Sequence, residues 1–267
     1  MKRQVKLFTV LFVLSFLTSS LCCMELHARG VMGACTRELY ENNTQWYYDV
    51  SGFVSIIRQY ASGYSEGFST YNPYPYMWID TYEGGLDHLY ADYYEASLIL
   101  GHAGSVLGGK TSIGFAPNGN AWADEVYLGY KTYQGKSIFT FIVQCGILRD
   151  TAIGYWKWAL NGAHMILSFK SEVTNVTSID CRTLAKRLTG VYPYPKDSVR
   201  WAFIKTFIAN DDAHKNNVVR IIAEDNNVAY NDYIDQYNPY ITVDSSKYMQ
   251  TWWLGSDGNY TGEGGWI

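Results

Sequence analysis

The sequence predicts an α/β domain, a three-layer sandwich in which helices cover a mostly parallel sheet. Short apolar runs rich in β-branched and aromatic residues, such as Ala96–Leu100 and Lys136–Val143, are bounded by glycine or polar residues and predict buried strands. Segments with apolar residues three and four positions apart separate these runs and predict helices. Strands that alternate with helices favour a sheet covered on both faces.

The chain begins with the pattern of a secretory signal. Three basic residues precede an apolar run over residues 7–17, and small residues follow. The run is shorter than the roughly 20 apolar residues of a spanning helix. We therefore predict a signal peptide over residues 1–28. Three cleavage positions are the alternatives for its end: after Cys22, near Ala28 or before Cys35.

Residues 35–267 are expected to form one domain that is secreted or otherwise extracytoplasmic, with an aromatic C-terminal segment. No second long apolar run follows, so we expect no stable membrane insertion after cleavage; an uncleaved anchor is the alternative. A net charge of -4 without a basic run leads us to expect no nucleic-acid partner. The 24 tyrosines and 9 tryptophans suit both a core and an exposed binding surface.

The remaining elements follow in chain order. Helices are predicted over 51–61, with Asp49 or Ser51 as cap, and over 151–169, 178–188 and 198–209. The last part of the second helix, 164–169, is alternatively a strand, and a further strand is predicted over 218–223. Residues 63–75 are predicted to be a loop. The segment from Tyr230 is either an edge hairpin or a loose surface segment.

Two predicted strands end at residues that carry chemistry. One leads into Gly101-His102-Ala103-Gly104, and the other into Gln144-Cys145-Gly146. Because ligands of open α/β sheets collect beyond the carboxyl ends of the strands, neighbouring parallel strands would place His102 beside Cys145. A thiol nucleophile with an imidazole base and acid suits that arrangement. The backbone N–H groups of Cys145 and Gly104 would then stabilise an oxyanion.

These motifs resemble those of the caspase, gingipain and clostripain clan of cysteine peptidases. "ADYYEASLILGHAGS" is similar to the clan's His strand and "SIFTFIVQCGIL" to its Cys strand. Cys145 follows His102 by about 43 residues, against about 50 in caspases. The chain is also similar to an uncharacterised secreted family with caspase-like features, through "W…GAH…ILSF" at Trp156–Phe169. It departs from the clan at Ala103, where the clan has glycine, and after Cys145, where the caspase signature is absent.

The resemblance implies a caspase-like fold and a secreted cysteine endopeptidase, a hydrolase that cleaves peptide or protein substrates with a Cys145–His102 dyad. Asp124 and Glu125 are candidates for a pocket that selects Arg or Lys, with a solvated loop as the alternative. No metal or organic cofactor is implied. The rival function is a non-enzymatic extracellular domain that recognises glycan or protein through exposed aromatics such as Trp266.

The remaining cysteines and histidines add two hypotheses. An odd set of Cys35, Cys145 and Cys181 in an oxidising compartment predicts one disulfide and one thiol. If Cys145 is the nucleophile, the pair is Cys35–Cys181. His164 is expected to be a packed helix residue. A metal site formed by His88, His102 and the aspartates Asp80, Asp87 and Asp92 matches no zinc spacing, and a solvated acidic loop is the preferred interpretation.

Overall fold

The computed structural model describes residues 28–36, 44–173, 179–209, 211–212, 214–239 and 241–267. The predicted signal peptide lies outside these residues, except for residue 28. The strands are β1 (Arg29–Cys35), β2 (Tyr64–Tyr71), β3 (Ala96–Leu100), β4 (Val106–Leu107), β5 (Lys110–Gly114), β6 (Asn120–Trp122), β7 (Phe139–Val143), β8 (Met165–Phe169), β9 (Val219–Ala223), β10 (Tyr248–Leu254) and β11 (Tyr260–Trp266). The α-helices are α1 (Thr44–Tyr60), α2 (Ile153–Ala159), α3 (Asp180–Thr189), α4 (Val199–Phe207) and α5 (Asn226–Asn231).

One large sheet organises the chain, in the order β11-β10-β9-β8-β7-β3-β1-β2. The strands β2, β1, β3, β7 and β8 pair in parallel. The strands β9, β10 and β11 continue the sheet in antiparallel fashion. The strands β4, β5 and β6 form a separate small antiparallel sheet. This arrangement confirms the predicted mixed α/β class with a large, mostly parallel sheet.

The large sheet has an apolar core on each face because successive side chains of a strand point to opposite sides. Leu100 and Val143 belong to a cluster that includes buried residues of α1, α3 and α4. Ile99 and Ile142 belong to a second cluster, with buried residues of β5, β6 and α2. Helices therefore cover one face, and the small sheet with α2 covers the other.

Several element boundaries differ from the sequence predictions. The prediction of a loop over 63–75 is wrong, because β2 occupies most of it as the edge strand beside β1. The helix predicted over 151–169 ends at Ala159, and the alternative strand is present as β8. The segment from Tyr230 contains the hairpin of β10 and β11.

The first strand extends the domain toward the N-terminus. β1 lies between β2 and β3 in the large sheet, so residues 29–34 belong to the folded domain that we expected to begin at Cys35. Cleavage before Cys35 would remove this strand, whereas a boundary at or before residue 28 keeps it. None of the described helices is both long and apolar enough to cross a bilayer.

The expected Cys35–Cys181 disulfide is wrong. Both residues are free thiols, fully buried in the same apolar cluster. Burial raises the pKa of the Cys35 thiol to about 12, and burial, aided by the nearby Asp49 carboxylate, raises the pKa of the Cys181 thiol. These two cysteines therefore act as small packing residues.

Asp49 joins α1 to α3 instead of capping its own helix. Its buried carboxylate accepts hydrogen bonds from the backbone N–H groups of Cys181 (2.8 Å) and Arg182 (3.0 Å). The Arg182 Nε donates to the same carboxylate at 3.1 Å. A carboxylate satisfies the free N–H groups of a helix start and complements its dipole, so Asp49 fixes the position of α3.

Candidate active site

The parallel pairing of β3 with β7 sets the positions of His102 and Cys145. The register runs from Ala96 opposite Phe139 to Leu100 opposite Val143. The Gly101 N–H continues it by donating to the Val143 carbonyl at 3.3 Å. Each candidate residue follows the last residue of its strand by two positions. Since paired strands lie about 4.8 Å apart, the two residues leave the sheet from adjacent positions on its carboxyl edge.

The two residues also lie on the same face of the sheet. His102 contacts Trp46 of α1, with ring centroids 5.5 Å apart. The Cys145 sulfur contacts Val173, which packs against the same helical cluster. The intervening Gln144 faces the other side, where its side chain exchanges two hydrogen bonds with Gly114 of β5.

Cys145 is half-buried, and backbone groups contact its sulfur. The Val173 N–H donates to Sγ at 3.4 Å, and Sγ lies 3.9 Å from the Val173 carbonyl. Both backbone groups of Val173 therefore hold the sulfur beside the segment that follows β8. Gly146 has a left-handed φ of 56°, and a Cβ there would meet the Arg149 guanidinium at 2.6 Å. A cation thus lies beside the residue that follows Cys145.

The loop that carries His102 is packed closely on both sides. A Cβ at Gly101 would lie 1.9 Å from the Thr36 hydroxyl, and a Cβ at Gly114 would lie 2.5 Å from the His102 carbonyl oxygen. Both positions therefore require glycine. The His102 side chain itself is exposed, so its backbone is fixed while its imidazole faces solvent beside Trp46.

The two predicted oxyanion donors differ in availability. The Gly104 N–H donates to the Ser112 carbonyl at 3.1 Å and ties the loop to β5, so an oxyanion role would require that bond to break. The Cys145 N–H has no acceptor within the described part of the chain. Cys145 is therefore the donor that this geometry leaves open.

Asp124 and Glu125 lie away from the two strand ends. Asp124 forms an ion pair with Lys110 at 2.5 Å, and the Glu125 carboxylate accepts a backbone hydrogen bond within its own turn. Lys110 begins β5, while the other end of β5 contacts the His102 loop. Lys110 and Gly114 are separated by four residues of strand, or roughly 14 Å, so Asp124 is paired at the end of β5 away from the His102 carbonyl.

The acidic residues near His88 are buried, so the interpretation as a solvated loop is wrong. Asp92 accepts hydrogen bonds from the Gly129 and Ser137 N–H groups. Burial raises the pKa of Asp87 to about 7, with a contribution from nearby Asp80. Among the described residues no group of three or more His, Cys, Asp or Glu side chains is arranged to hold a metal ion.

His164 is buried as expected, but it precedes β8 and is not in a helix. Its Nδ1 forms a hydrogen bond with the Asp232 carboxyl group, and its ring packs edge-on against Phe139 and Tyr237. These contacts place it in the core at the amino ends of the parallel strands, away from the two candidate catalytic residues.

Sequence reasoning missed three contacts of the site: Trp46, Arg149 and Val173. Trp46 lies in the first turn of α1, before the predicted helix start. Arg149 follows Cys145 by four positions, and this proximity in the sequence was the available indication. Val173 follows β8, the next strand of the sheet, and only the strand order brings it to the sulfur.

Comparisons with known proteins assign the chain to a family. Residues 49–256 match a domain of unknown function, DUF6345. The chain belongs to this family. It is similar to an uncharacterized protein of Archaeoglobus fulgidus, with 41% identity over 217 residues that cover 79% of this chain and 81% of the relative. No solved structure matches the chain. The DUF6345 match contains both strand-end residues, whereas β1 and β11 lie outside it.

Proposed function

We propose that this DUF6345 domain is a cysteine endopeptidase of caspase-like type, with Cys145 as nucleophile and His102 as base and acid. The observation that supports it is the parallel register of β3 and β7, which brings both residues to one edge and one face of the sheet. The sulfur of the proposed nucleophile also accepts a hydrogen bond from the Val173 N–H.

The chemistry follows in two steps. His102 accepts the thiol proton, and the Cys145 thiolate adds to the peptide carbonyl, whose oxygen becomes negative and accepts a hydrogen bond from the Cys145 N–H. The C–N bond then breaks, the His102 imidazolium protonates the leaving amine, and an acyl-enzyme remains. Water activated by the imidazole hydrolyses that thioester and restores the thiol.

Export remains part of the proposal and rests on the N-terminal sequence. The substrates would then be extracytoplasmic peptides or proteins. The exposed imidazole beside Trp46 gives such a substrate access to the dyad from solvent.

The proposal predicts that Cys145 reacts with iodoacetamide faster than an ordinary thiol does. Labelling of the purified protein across about pH 5 to 9, mapped by mass spectrometry, is expected to stay fast below about pH 7, where a thiol of pKa about 8.5 is mostly protonated. His102→Ala is expected to slow it at least about tenfold in that range.

Three controls make this measurement specific. Cys145→Ala removes the label. His88→Gln changes a histidine near the opposite edge of the sheet and is expected to leave the rate unchanged. Cys35 and Cys181 are buried thiols and are expected to remain unlabelled in the folded protein. Labelling of Cys145 that follows an ordinary thiol titration, with no effect of His102→Ala, would contradict the peptidase.

A binding domain without catalysis is the second candidate, and one observation favours it. Trp266 is 60% exposed on β11, the outermost strand of the large sheet, and Tyr260 of the same strand is also exposed. Trp252, by contrast, packs against Trp201 at 5.0 Å. Two results together would support this function instead. Cys145 would react with iodoacetamide no faster than an ordinary thiol, and the domain would bind a glycan or protein in a way that Trp266→Ala abolishes.

A further inference from the structure

A cavity of about 550 Å³ lies at the edge of the parallel sheet opposite to His102 and Cys145. Its walls include Arg29, the first residue of β1, and Glu95 and Ile138, which precede β3 and β7. The length of β7 and its flanking residues separates this cavity from Cys145 by about 20 Å. It is therefore a site distinct from the proposed dyad.

Charged groups of both signs surround the cavity without pairing with each other. Arg29, Glu95 and Lys136 all line it, and within the described part of the chain none of them forms a side-chain ion pair. The Glu95 carboxylate accepts a hydrogen bond from the Gly30 N–H at 2.5 Å. Burial raises the pKa of this carboxyl, although Lys136 and Arg29 act to lower it. Arg29 and Glu95 are half-buried, and partly desolvated charges ordinarily find partners of opposite charge, which a ligand in the cavity would supply.

Tyrosines hold both cations in place along the walls. The Lys136 ammonium lies 4.1 Å from the ring centre of Tyr93. The Arg29 guanidinium lies 4.6 Å from the ring centre of Tyr237, and its Nη1 donates to the Asp235 carbonyl at 2.9 Å. Cation–π contact fixes a cation while leaving donors free for an anion. The two charges are thus positioned around the open space.

Two tyrosines of the cavity wall are held by contacts outside the cavity. Tyr237 packs edge-on against Phe139 and His164, and the Tyr130 hydroxyl donates to the Ile241 carbonyl. Aromatic walls with a few placed charges are typical of small-molecule sites, and the volume falls in their usual range of about 300–1,000 Å³.

We propose that this cavity binds a small zwitterion, an α-amino acid or dipeptide with an apolar side chain. Its carboxylate would pair with Lys136 and Arg29, its ammonium with Glu95, and its side chain would contact the tyrosine walls. A simple anion would leave Glu95 without a partner, and a simple cation would leave both basic groups without one. The proposal does not depend on the peptidase function.

Calorimetric titration of the full chain with three matched probes tests this site. L-Phenylalanine carries both charges, 3-phenylpropionate lacks the ammonium, and phenethylamine lacks the carboxylate. L-Phenylalanine is expected to bind at least about tenfold more tightly than either analogue. Cys145→Ala is expected to bind it unchanged, which separates this site from the proposed dyad.

Two variants assign the charges. Lys136→Met is expected to weaken L-phenylalanine at least about tenfold while leaving phenethylamine unaffected. Glu95→Gln keeps an acceptor for the Gly30 N–H and is expected to weaken L-phenylalanine and phenethylamine but not 3-phenylpropionate. Lys131→Met is the matched control, because Lys131 stacks on Tyr130 but does not line the cavity.

The proposal is overturned if neither L-phenylalanine nor L-leucine binds at about 10 mM, or if all three phenyl probes bind equally. Equal binding of 3-phenylpropionate and L-phenylalanine would reveal a simple anion site and would also overturn it. Lys136 is exposed, so its variant is expected to fold and to give a result even if Glu95→Gln does not.

Discussion

Lys247→Met is expected to lower the free energy of unfolding by about 3–5 kcal/mol, because it leaves a buried carboxylate without its cation. The side chains of Lys247 and Glu224 are both buried, with Nζ and Oε1 2.5 Å apart. The other oxygen of Glu224 is buried without a hydrogen-bond partner among the described residues. Burial raises the pKa of the Glu224 carboxyl even with Lys247 in contact. Urea denaturation near pH 7 measures the loss.

The double variant Lys247→Met, Glu224→Gln is the control for this prediction. It removes both charges and is expected to recover a large part of the lost stability, since an unpaired buried charge is the main cost. Lys247 also exchanges two backbone hydrogen bonds with Ile267, and these are expected to persist in both variants. Equal stability of the single and double variants would contradict the explanation.

Asp87 is expected to make the domain less stable as the pH rises from about 4 to about 7. Burial, aided by Asp80, raises its pKa in the folded state to about 7, against about 3.9 in an unfolded chain. Between these values the folded state holds a proton that the unfolded state has lost, so stability falls with rising pH. The contribution is fully present below about pH 4 and absent above about pH 7, and it amounts to about 2–4 kcal/mol.

Asp87→Asn is expected to remove the contribution of Asp87 to the pH dependence of the free energy of unfolding. It is expected to raise that free energy near pH 8 by a similar amount. The amide oxygen can still accept from the His88 N–H, which donates to Asp87 at 2.8 Å. Denaturation curves at several pH values between about 4 and 8 measure the effect. Asp257→Asn is the control, because Asp257 has a lowered pKa from its bonds with Asn259. An unchanged slope in Asp87→Asn would contradict the argument.

The elements that sequence reasoning located best are strands buried on both faces. All five residues of β3 and of β9 are buried, and apart from Ser97 and Arg220 each strand is apolar with clear ends. The rule that parallel strands present their carboxyl ends at one edge predicted that His102 and Cys145 follow neighbouring strands there, and the pairing of β3 with β7 places them after adjacent strand ends.

The features that sequence reasoning missed depend on contacts between residues that are far apart in the chain. β2 is an edge strand of exposed and half-buried residues without an apolar pattern, apart from the buried Tyr64, and it pairs only with β1 in the sheet. β1 contains Gly33, where Val50 and Val54 of α1 leave no room for a Cβ. Because the packing requires a small residue there, the sequence of β1 resembles the end of a signal peptide more than a strand. Asp49 lies far along the chain from the α3 residues that it caps.

The strand order has a consequence for how the chain folds during synthesis. β1 and β2 pair first, β3 adds to the free edge of β1, and each later strand of the large sheet pairs with the one that came before it. During synthesis the chain emerges from its N-terminus, so each new strand of the large sheet appears after the strand with which it pairs. Until β11 arrives, the incomplete sheet exposes its growing edge, and that edge is where nascent chains of this protein are most prone to pair with one another.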